Sequence, residues 1–289
     1  MVTFANIRSY AFQVGWRAYL WRTAVRQFYK RILRRDLEIR LPTGLPLHLP
    51  RDSHFASVVW LSQGRADEGC EEMLLRFLKS DADFLDIGAH LGYYSLWYAP
   101  RVRQVHAFEP DPRNHRWLER NSLRAANIRV NHLAVSDQTG TVEFRQDASS
   151  AQSHVLMDSS QKGAASCISV PCTTLDAYWK QNAQSDVCAF KVDVEGHEIS
   201  VLSGAVEMLK ACRPLGLIET SHTNREKLIG VLEPLRYKAI AAVRSGREIV
   251  LMEMNNRFSE THDFTMAFLV PEEKYLEWNA GTGRSKRAI

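Results

Sequence analysis

Short apolar runs alternate with amphipathic segments through the middle of this 289-residue chain. The apolar runs are typical of buried strands, and apolar side chains that recur every three or four residues are typical of helices. The predicted strands are 83–87, 104–109, 128–133, 187–193 and 216–219, and the predicted helices are 92–99, 112–125, 197–211 and 223–233. Such an alternation predicts an α/β fold, in which helices cover both faces of a mostly parallel sheet.

Further elements flank this alternation. Residues 37–41 and 45–49 predict a short hairpin, and apolar spacing over 67–80 predicts a helix. Three late segments with short connections predict antiparallel strands appended to the sheet: 237–243, 248–254 and 264–270. Two further strands, 141–145 and 168–172, enclose a segment rich in Ser, Ala and Gln that is typical of a surface loop. The expected organisation is a helical arm (1–36), a hairpin with its connecting segment (37–66), one α/β domain (67–275) and a flexible tail (276–289).

Composition excludes several classes of protein. The chain is 45% hydrophobic and 24% charged, which excludes a disordered, collagen-like or coiled-coil protein. No run of 18 apolar residues occurs, and arginines interrupt the first apolar stretch, so neither a membrane span nor a secretory signal is expected. The five cysteines are scattered without a C-x-x-C pair, which argues against a disulfide framework or zinc cluster. We therefore expect a cytoplasmic protein.

Positive charge is concentrated at the amino terminus. Residues 1–35 contain eight basic and no acidic side chains, so the +4 of the whole chain leaves −4 for residues 36–289. An acidic body offers no electrostatic track for a nucleic-acid duplex, and no nucleic-acid partner is expected.

The same amino-terminal segment predicts an amphipathic helix. Its apolar stripe comprises Ile7, Tyr10, Val14, Ala18, Trp21, Val25, Phe28 and Ile32, with arginines on the flanks. One interpretation is that residues 7–35 lie on an anionic membrane, at the inner membrane surface of the cell. The alternative is that the stripe packs on the body or on a second copy of the chain, as in a homo-oligomer.

A first chemical signal lies between the first two strands of the alternation. Asp86, Gly88 and Gly92 form a D-x-G-x-x-x-G turn from strand to helix, and Glu109 ends the next strand. A carboxylate at that position can accept hydrogen bonds from both hydroxyls of a ribose. A dinucleotide favours G-x-G-x-x-G, whereas a carboxylate in the turn suits a positively charged nucleoside such as S-adenosylmethionine. A tight turn in an unrelated α/β protein is the simpler alternative.

A second signal is a group of ionisable residues at the end of the 187–193 strand. Side chains alternate along a strand, so Lys191, Asp193 and Glu195 are expected to point together. Glu219 ends a later strand, and His222 follows it. The carboxyl ends of parallel strands face one crevice, so these groups predict a functional site, with a structural ion-pair network as the alternative.

At this point the sequence resembles the FkbM-type S-adenosylmethionine-dependent methyltransferases, which have the class I Rossmann-like fold. The resemblance spans residues 84–219, and its matching stretches are DIGAHLGYYSLWYA (86–99), AFEPDPRNHRWLERN (107–121), AVSDQTGTVEF (134–144), TLDAYW (174–179), KVDVEGHEISVLSGAVEML (191–209) and RPLGLIE (213–219). It implies a Rossmann-like domain that binds S-adenosylmethionine.

The resemblance also implies roles for single residues. Asp86, Gly88, Ala89 and Gly92 would shape the methionine side of the cofactor site. Glu109 would bind the ribose hydroxyls, and Ala134 and Val135 would lie by the adenine ring. His90, in the cofactor loop, stands where the family more often has Asn.

The family typically methylates hydroxyl oxygens of sugars or polyketide-like small molecules, so a small-molecule or glycan acceptor is expected. An alcohol is a weak nucleophile, and a base assists by about two to four powers of ten. The candidate bases are Asp193, His222 and Glu195, whereas Lys191 and Glu219 are candidates for contact with substrate or metal. In a second version, Asp193, Glu195 and Glu219 bind Mg²⁺, which lowers the pKa of the acceptor.

Other functions remain open from the sequence. A non-catalytic Rossmann-like module would keep the fold without the chemistry. A nicotinamide-dependent oxidoreductase is disfavoured because G-x-G-x-x-G is absent from the sequence. An RNA methyltransferase is disfavoured by the acidic body. If the arm does bind a membrane, the acceptor would be a lipid-linked precursor of the cell envelope.

Overall fold

The computed structural model describes residues 14–146, 154–155, 166–220, 222–245, 248–255, 258 and 264–282. The strands are β1 (Leu37–Arg40), β2 (Pro46–Leu49), β3 (Asp83–Ile87), β4 (Gln104–Phe108), β5 (Ile128–Asn131), β6 (Ala134–Val135), β7 (Gly140–Gln146), β8 (His154–Val155), β9 (Ser166–Thr173), β10 (Val187–Val192), β11 (Leu215–Glu219), β12 (Tyr237–Ser245), β13 (Glu248–Glu253) and β14 (Met266–Pro271). The α-helices are α1 (Trp16–Phe28), α2 (His54–Leu61), α3 (Cys70–Leu75), α4 (Tyr93–Tyr98), α5 (Pro112–Ser122), α6 (Leu175–Gln181), α7 (Glu198–Ser203), α8 (Val206–Cys212), α9 (Arg225–Leu232) and α10 (Tyr275–Gly281).

The central sheet has eight strands in the order β13-β12-β14-β11-β10-β3-β4-β5. Five neighbouring strands, from β11 to β5, are parallel, and β14, β12 and β13 join them by antiparallel pairing. The α/β fold with antiparallel end strands is therefore as predicted. The chain runs outward from β3 through β4 to β5 and returns to β10 on the other side of β3. This reversal opens a crevice between the carboxyl ends of β3 and β10, where ligands bind in open α/β sheets.

Alternating side chains of the strands supply two cores, one on each face of the sheet. Phe84 and Leu217 belong to the core that α2, α3, α4 and α10 cover. Leu85 and Ile218 belong to the opposite core, which α6, α7, α8 and α9 cover. Both faces are therefore closed by helices, and the strand ends are left to form a site.

Residues 37–66 contain more than the predicted hairpin. The strands β1 and β2 pair antiparallel, as expected. The helix α2 was not predicted, although Ser53 caps it by accepting a hydrogen bond from the Ala56 amide, at 3.1 Å. Its apolar residues bury one side against the core, so the segment is part of the domain's packing.

The arm is helical from Trp16 to Phe28, and a π-helical turn continues it through Tyr29–Leu33. The predicted stripe does not form one buried face, because Trp21 and Ile32 are exposed whereas Ala18 and Val25 are half-buried. Ile7 and Tyr10 lie outside the described residues.

Two further predictions are corrected by the structure. The helix predicted over 197–211 is divided into α7 and α8 near Gly204, which contacts the chain after β6. The tail predicted over 276–289 begins as α10, because Trp278 is buried against Phe268 in the core. Residues 283–289 lie outside the described residues.

Three smaller differences also appear. The helix predicted over 67–80 is limited to α3. The strands predicted at 141–145 and 168–172 form part of a separate four-stranded sheet with the order β6-β9-β7-β8. The loop predicted between those strands lies mostly outside the described residues. No helix in the described ranges has both the length and the apolar character that crossing a bilayer requires.

Gly204 provides a test of how the two sheets meet. A Cβ at this position would lie 2.2 Å from the Ser136 carbonyl oxygen, so the backbone must shift to accept any side chain. We expect Gly204→Ala to lower the free energy of unfolding by about 1–3 kcal/mol, as overpacking does. Gly230 lies in α9 with open space around its Cβ position, so Gly230→Ala should instead stabilise by about 0.5–1 kcal/mol. Urea denaturation measures the free energy of unfolding of both variants. Equal effects of the two substitutions would contradict the close contact between Gly204 and the Ser136 carbonyl.

Candidate functional site

A cavity of about 410 Å³ lies at the carboxyl ends of the parallel strands, at the reversal between β3 and β10. Its volume falls within the range of sites that hold small organic ligands. Ten of the predicted site residues line it: Gly88, Ala89, His90, Glu109, Ala134, Val135, Lys191, Asp193, Glu195 and Glu219. The fold therefore brings both chemical signals of the sequence into one cavity.

Asp86, which was also predicted to shape the cofactor site, lies in β3 and does not line the cavity among the described residues. Strand alternation turns its side chain to the same face as Phe84, and Ser95 of α4 donates a hydrogen bond to its Oδ2 at 2.6 Å. Burial raises the pKa of Asp86, although the charge of Lys191 opposes that shift. Asp86 therefore supports the start of α4 and acts on the cavity through Lys191.

Gly92 and His222 are likewise absent from the lining formed by the described chain. Gly92 has a φ of 82° and approaches Leu118 of α5, so it permits helix packing. The ring of His222 packs against Phe258 and Phe264, and Phe264 reaches the cavity in its place. Among the described residues His222 therefore does not line the cavity, and its role as a base stays a prediction.

Gly88 determines how closely the two halves of the cavity approach each other. Its φ is 77°, and a Cβ here would lie 1.8 Å from the carbonyl oxygen of Asp193. The Asp193 amide donates to the Ile87 carbonyl at 3.1 Å, and the Gly88 and Ala89 amides both donate to the Phe108 carbonyl. Only glycine permits this contact between two backbones.

His90 occupies the left-handed region at a φ of 51°, which Asn, Asp and His adopt more readily than other side chains. Its amide donates to Glu109 Oε2 at 2.8 Å, and its ring meets Phe55 edge to face at 5.2 Å. Burial lowers the pKa of His90 to about 4, so the ring is neutral at pH 7.

Glu109 is buried and held by backbone amides. Its Oε1 accepts from the Asp111 amide and its Oε2 from the His90 amide, both at 2.8 Å. Each carboxylate oxygen can accept a second hydrogen bond, so both can still bind hydroxyl groups in the cavity. Burial raises the pKa of Glu109 to about 7, although the two amides favour the charged form.

Lys191 is a buried cation among acidic groups. Its Nζ donates to Asp193 Oδ2 at 2.8 Å and lies 5.1 Å from the centre of the Tyr94 ring. Burial opposes its charge, but Asp193, Asp86 and Asp67 together raise the pKa of Lys191. The ammonium therefore stays protonated and neutralises part of the negative charge of the cavity.

Asp193 and Glu219 share a hydrogen bond that separates their protonation states. Burial opposes the charge of Asp193, but Lys191 and the hydrogen bond with Glu219 lower the pKa of Asp193 below its usual range. Burial and the charge of Asp193 raise the pKa of Glu219 far above its usual range. At neutral pH the pair therefore holds one proton, on Glu219, and Asp193 is ionised.

Glu195 joins this acidic group by a different route from the one predicted. The strand β10 ends at Val192, and Glu195 has a φ of 53° in a turn whose Gly196 amide donates to Glu198 at 2.8 Å. Glu195 thus lies beyond the strand, and the alternation of side chains along β10 does not determine its direction. One carboxylate oxygen of each of Asp193, Glu195 and Glu219 nevertheless lies within 4.8 Å of the others. Partial burial and the charge of Asp193 raise the pKa of Glu195 to about 7.

Several lining residues were not predicted from the sequence. Asp67 contributes another carboxyl, which accepts a hydrogen bond from Tyr94, and its pKa is raised by burial. Apolar walls come from Phe55 and Val58 of α2 and from Phe144 of the small sheet. The Ser53 cap is a sequence signal for α2, and hence for the positions of Phe55 and Val58. Asp67 lies in a segment whose apolar spacing predicts only a helix.

The sequence matches the family described as Methyltransferase FkbM domain over residues 86–275, about two thirds of the chain. No curated protein matches it significantly.

Two solved structures illustrate the structural similarity. The methyltransferase FkbM of Methylobacillus flagellatus KT is 15% identical with a TM-score of 0.44, and the match covers 74% of this chain and 53% of that one. The present chain thus spans about half of that protein. An rRNA methylase of Streptococcus thermophilus is 10% identical with a TM-score of 0.43, covering 70% and 93% of the two chains.

The shared proton of the acidic pair predicts a pH-dependent effect on stability. Because the pKa of Glu219 is raised on folding to about 10, the folded state keeps a proton on this carboxyl that the unfolded state loses above pH 4.5. The contribution of Glu219 to stability is therefore lost as pH rises from 4.5 to about 10. Glu219→Gln removes this loss, since the amide can donate to Asp193 at any pH. We expect the variant to gain at least about 1.4 kcal/mol relative to the parent between pH 5 and pH 9, the equivalent of one pKa unit.

Chemical denaturation at the two pH values measures this gain. Glu277→Gln on the exposed side of α10 is the matched control and should show no such trend. A gain that does not depend on pH would contradict the shared proton.

Proposed function

We propose that this chain, which belongs to the FkbM methyltransferase family, transfers a methyl group from S-adenosylmethionine to a hydroxyl oxygen of a small molecule or glycan. The observation that carries the proposal is that Glu109 and the ionised Asp193 open onto one cavity. Glu109 suits the ribose of the donor, and Asp193 suits the hydroxyl of an acceptor. A sugar or a polyketide-like molecule is the class of acceptor we favour.

The residues present fit this donor. Glu109 lines the cavity, and each of its oxygens accepts one amide hydrogen bond and can accept another, as two ribose hydroxyls require. Ala134 and Val135 offer small apolar side chains for an adenine ring. Asp193 balances the charge of Lys191, and Glu109 and Glu195, each with a pKa of about 7, add negative charge to the cavity as they ionise, which favours a ligand with positive groups.

S-adenosylmethionine supplies a methyl carbon on a positively charged sulfur, which keeps the bonding electron pair and leaves as a neutral thioether. The chain's part is to align the acceptor and take its proton. Asp193 accepts the hydrogen bond of the acceptor hydroxyl, and the proton moves to the carboxylate as the new C–O bond forms. Lys191 holds the Asp193 carboxylate in place, because its Nζ donates a hydrogen bond to Asp193 Oδ2 at 2.8 Å. Alignment of this kind supplies much of a rate enhancement without a covalent enzyme intermediate.

A second version of the reaction includes a metal. The carboxylate oxygens of Asp193, Glu195 and Glu219 are the ligand type that Mg²⁺ prefers, and they lie close enough to surround one ion. A cation would then replace the proton on Glu219 and lower the pKa of the acceptor hydroxyl. Loss of activity with a chelator, restored by Mg²⁺, supports this version, whereas activity that persists with the chelator supports the metal-free one.

Binding of the donor should depend on Glu109 and on pH. The carboxyl has a pKa of about 7 in the free protein, and only its ionised form accepts two ribose hydrogen bonds. We therefore expect the affinity for S-adenosylmethionine to fall below pH 7, by up to about tenfold per pH unit. Glu109→Gln should weaken binding about tenfold to a hundredfold at pH 8 and remove the pH dependence. Titration calorimetry at pH 6 and pH 8 measures both effects.

Glu119→Gln, on the exposed side of α5, is the matched control and should bind as the parent does. No affinity of the parent for the donor at either pH would overturn the proposed function. Binding with unchanged affinity in Glu109→Gln would remove the role of Glu109 alone.

The acceptor and the role of Asp193 can be tested together. Isotopically labelled S-adenosylmethionine is incubated with a panel of hydroxylated small molecules and glycans, and mass spectrometry identifies the methylated product. On that acceptor, Asp193→Asn should lower kcat by about two to four powers of ten while the donor's Kd stays within a few-fold. The loss follows because an amide cannot take the proton.

Asp81→Asn, an exposed substitution of the same type, should keep full activity. Full activity of Asp193→Asn would exclude Asp193 as base and as metal ligand. Donor binding without turnover on any acceptor would instead favour a non-catalytic Rossmann-like module.

A further inference from the structure

The outward side of α1 carries large apolar side chains that face solvent. We define the outer face of α1 by its exposed apolar residues: Trp16, Leu20, Trp21, Phe28 and Ile32. Leu20, Trp21 and Ile32 are 62%, 61% and 68% exposed. With 100° between successive residues of a helix, the four members within Trp16–Phe28 fall on one side. Contiguous apolar surface of this kind marks a site of interaction.

The opposite side of the helix is already fixed to the body. Arg26 is only 2% exposed, and it donates to Ser57 Oγ at 3.1 Å and to the Pro50 carbonyl at 2.6 Å. Arg22 donates to the Trp60 carbonyl at 2.6 Å, and the Trp60 indole donates back to the Arg22 carbonyl at 2.9 Å. The helix therefore cannot roll its apolar side inward without breaking buried hydrogen bonds, so the outer face is held toward solvent.

The charge around the outer face has one sign. Arg17 is exposed on the same side of α1, and Lys30, Arg31, Arg34 and Arg35 are exposed in the π-helical turn and just after it. No acidic residue occurs in residues 1–35. Exposed tryptophans, apolar residues and arginines on one helix face are the combination that enters the headgroup layer of an anionic bilayer.

A second copy of this chain is the competing occupant. A two-fold contact would place the outer face of one copy on the same face of the other, and Arg17 and Arg31 of both copies would then meet without an acidic partner. Anionic lipid supplies the missing negative charge. We propose that the outer face of α1 binds the surface of an anionic lipid bilayer and holds the protein there as a peripheral protein.

This docking surface is joined to the cavity by one helix. The helix α2 meets α1 through Ser57 and Trp60, and it lines the cavity with Phe55 and Val58. A bilayer bound to α1 therefore lies one helix layer beyond the wall of the cavity. If the proposed function holds, this arrangement favours an acceptor hydroxyl carried by a lipid-linked molecule, and that extension alone rests on the proposed function.

Vesicle flotation of the full chain tests the surface without any assay of activity. We expect binding to vesicles that mix phosphatidylglycerol with phosphatidylcholine and little binding to phosphatidylcholine alone. Leu20→Asp should lower the partition coefficient about tenfold or more, because the leucine side chain that would be buried in the bilayer is replaced by a charged one. Leu123→Asp is the matched control, because Leu123 is also exposed, at 86%, but lies on the body; it should bind as the parent does.

Two arginine substitutions test the contribution of charge. Arg31→Gln should lower the partition coefficient about fivefold, and Arg101→Gln, exposed on the body, should leave it unchanged. Equal flotation of the parent and Leu20→Asp would overturn the proposal, as would equal binding to the two kinds of vesicle. A dimer in sedimentation experiments that Leu20→Asp dissociates, together with no flotation of the parent, would assign the outer face to a second copy instead. Flotation without donor binding would refute the proposed function and leave the docking surface intact.

Discussion

The contact between Gly88 and the Asp193 carbonyl is the constraint on which the rest of the site depends. A side chain at residue 88 would occupy the space of that oxygen, so the turn after β3 and the end of β10 can meet only through bare backbone. The turn carries His90, whose amide holds Glu109, and the chain leaving β10 carries Asp193, the ionised member of the acidic pair. One backbone contact thus sets the distance between a carboxylate suited to a ribose and a carboxylate suited to a hydroxyl.

The electrostatic character of the cavity follows from an imbalance of charge. One buried lysine faces Asp193, Asp86 and Asp67, and it cannot neutralise all of them. The cavity relieves the excess by sharing a proton between Asp193 and Glu219. This arrangement leaves an ionised acceptor for a hydrogen bond and a negative environment that a cationic ligand would relieve. This negative environment is the physical basis for the proposed donor.

The helix α1 lies on the outside of the domain, and its contact with α2 links the surface to the cavity. The polar side of α1 is buried through Arg26, whereas its apolar side is exposed, which is the reverse of an ordinary surface helix. Exposure of these apolar side chains to water costs free energy, which other interactions in a stable protein offset. Contact with lipid would remove this cost. The helix α2, shared between α1 and the cavity, makes the two features parts of one structure.

Local patterns in the sequence predicted the α/β alternation and the turn at Gly88, because strand and helix periods are local properties, and the shared edge of parallel strands predicted that Lys191, Asp193 and Glu219 lie together. The family resemblance, not a period, assigned Ala89, His90, Ala134 and Val135 to the cofactor site. Only the folded chain decides that Asp86 faces α4, that Phe264 and not His222 lines the cavity among the described residues, and that Asp67 joins the acidic group. These outcomes depend on which neighbour packs against each side chain. The side of α1 that is buried was decided in the same way, since a buried arginine needs carbonyl partners that only the folded body supplies.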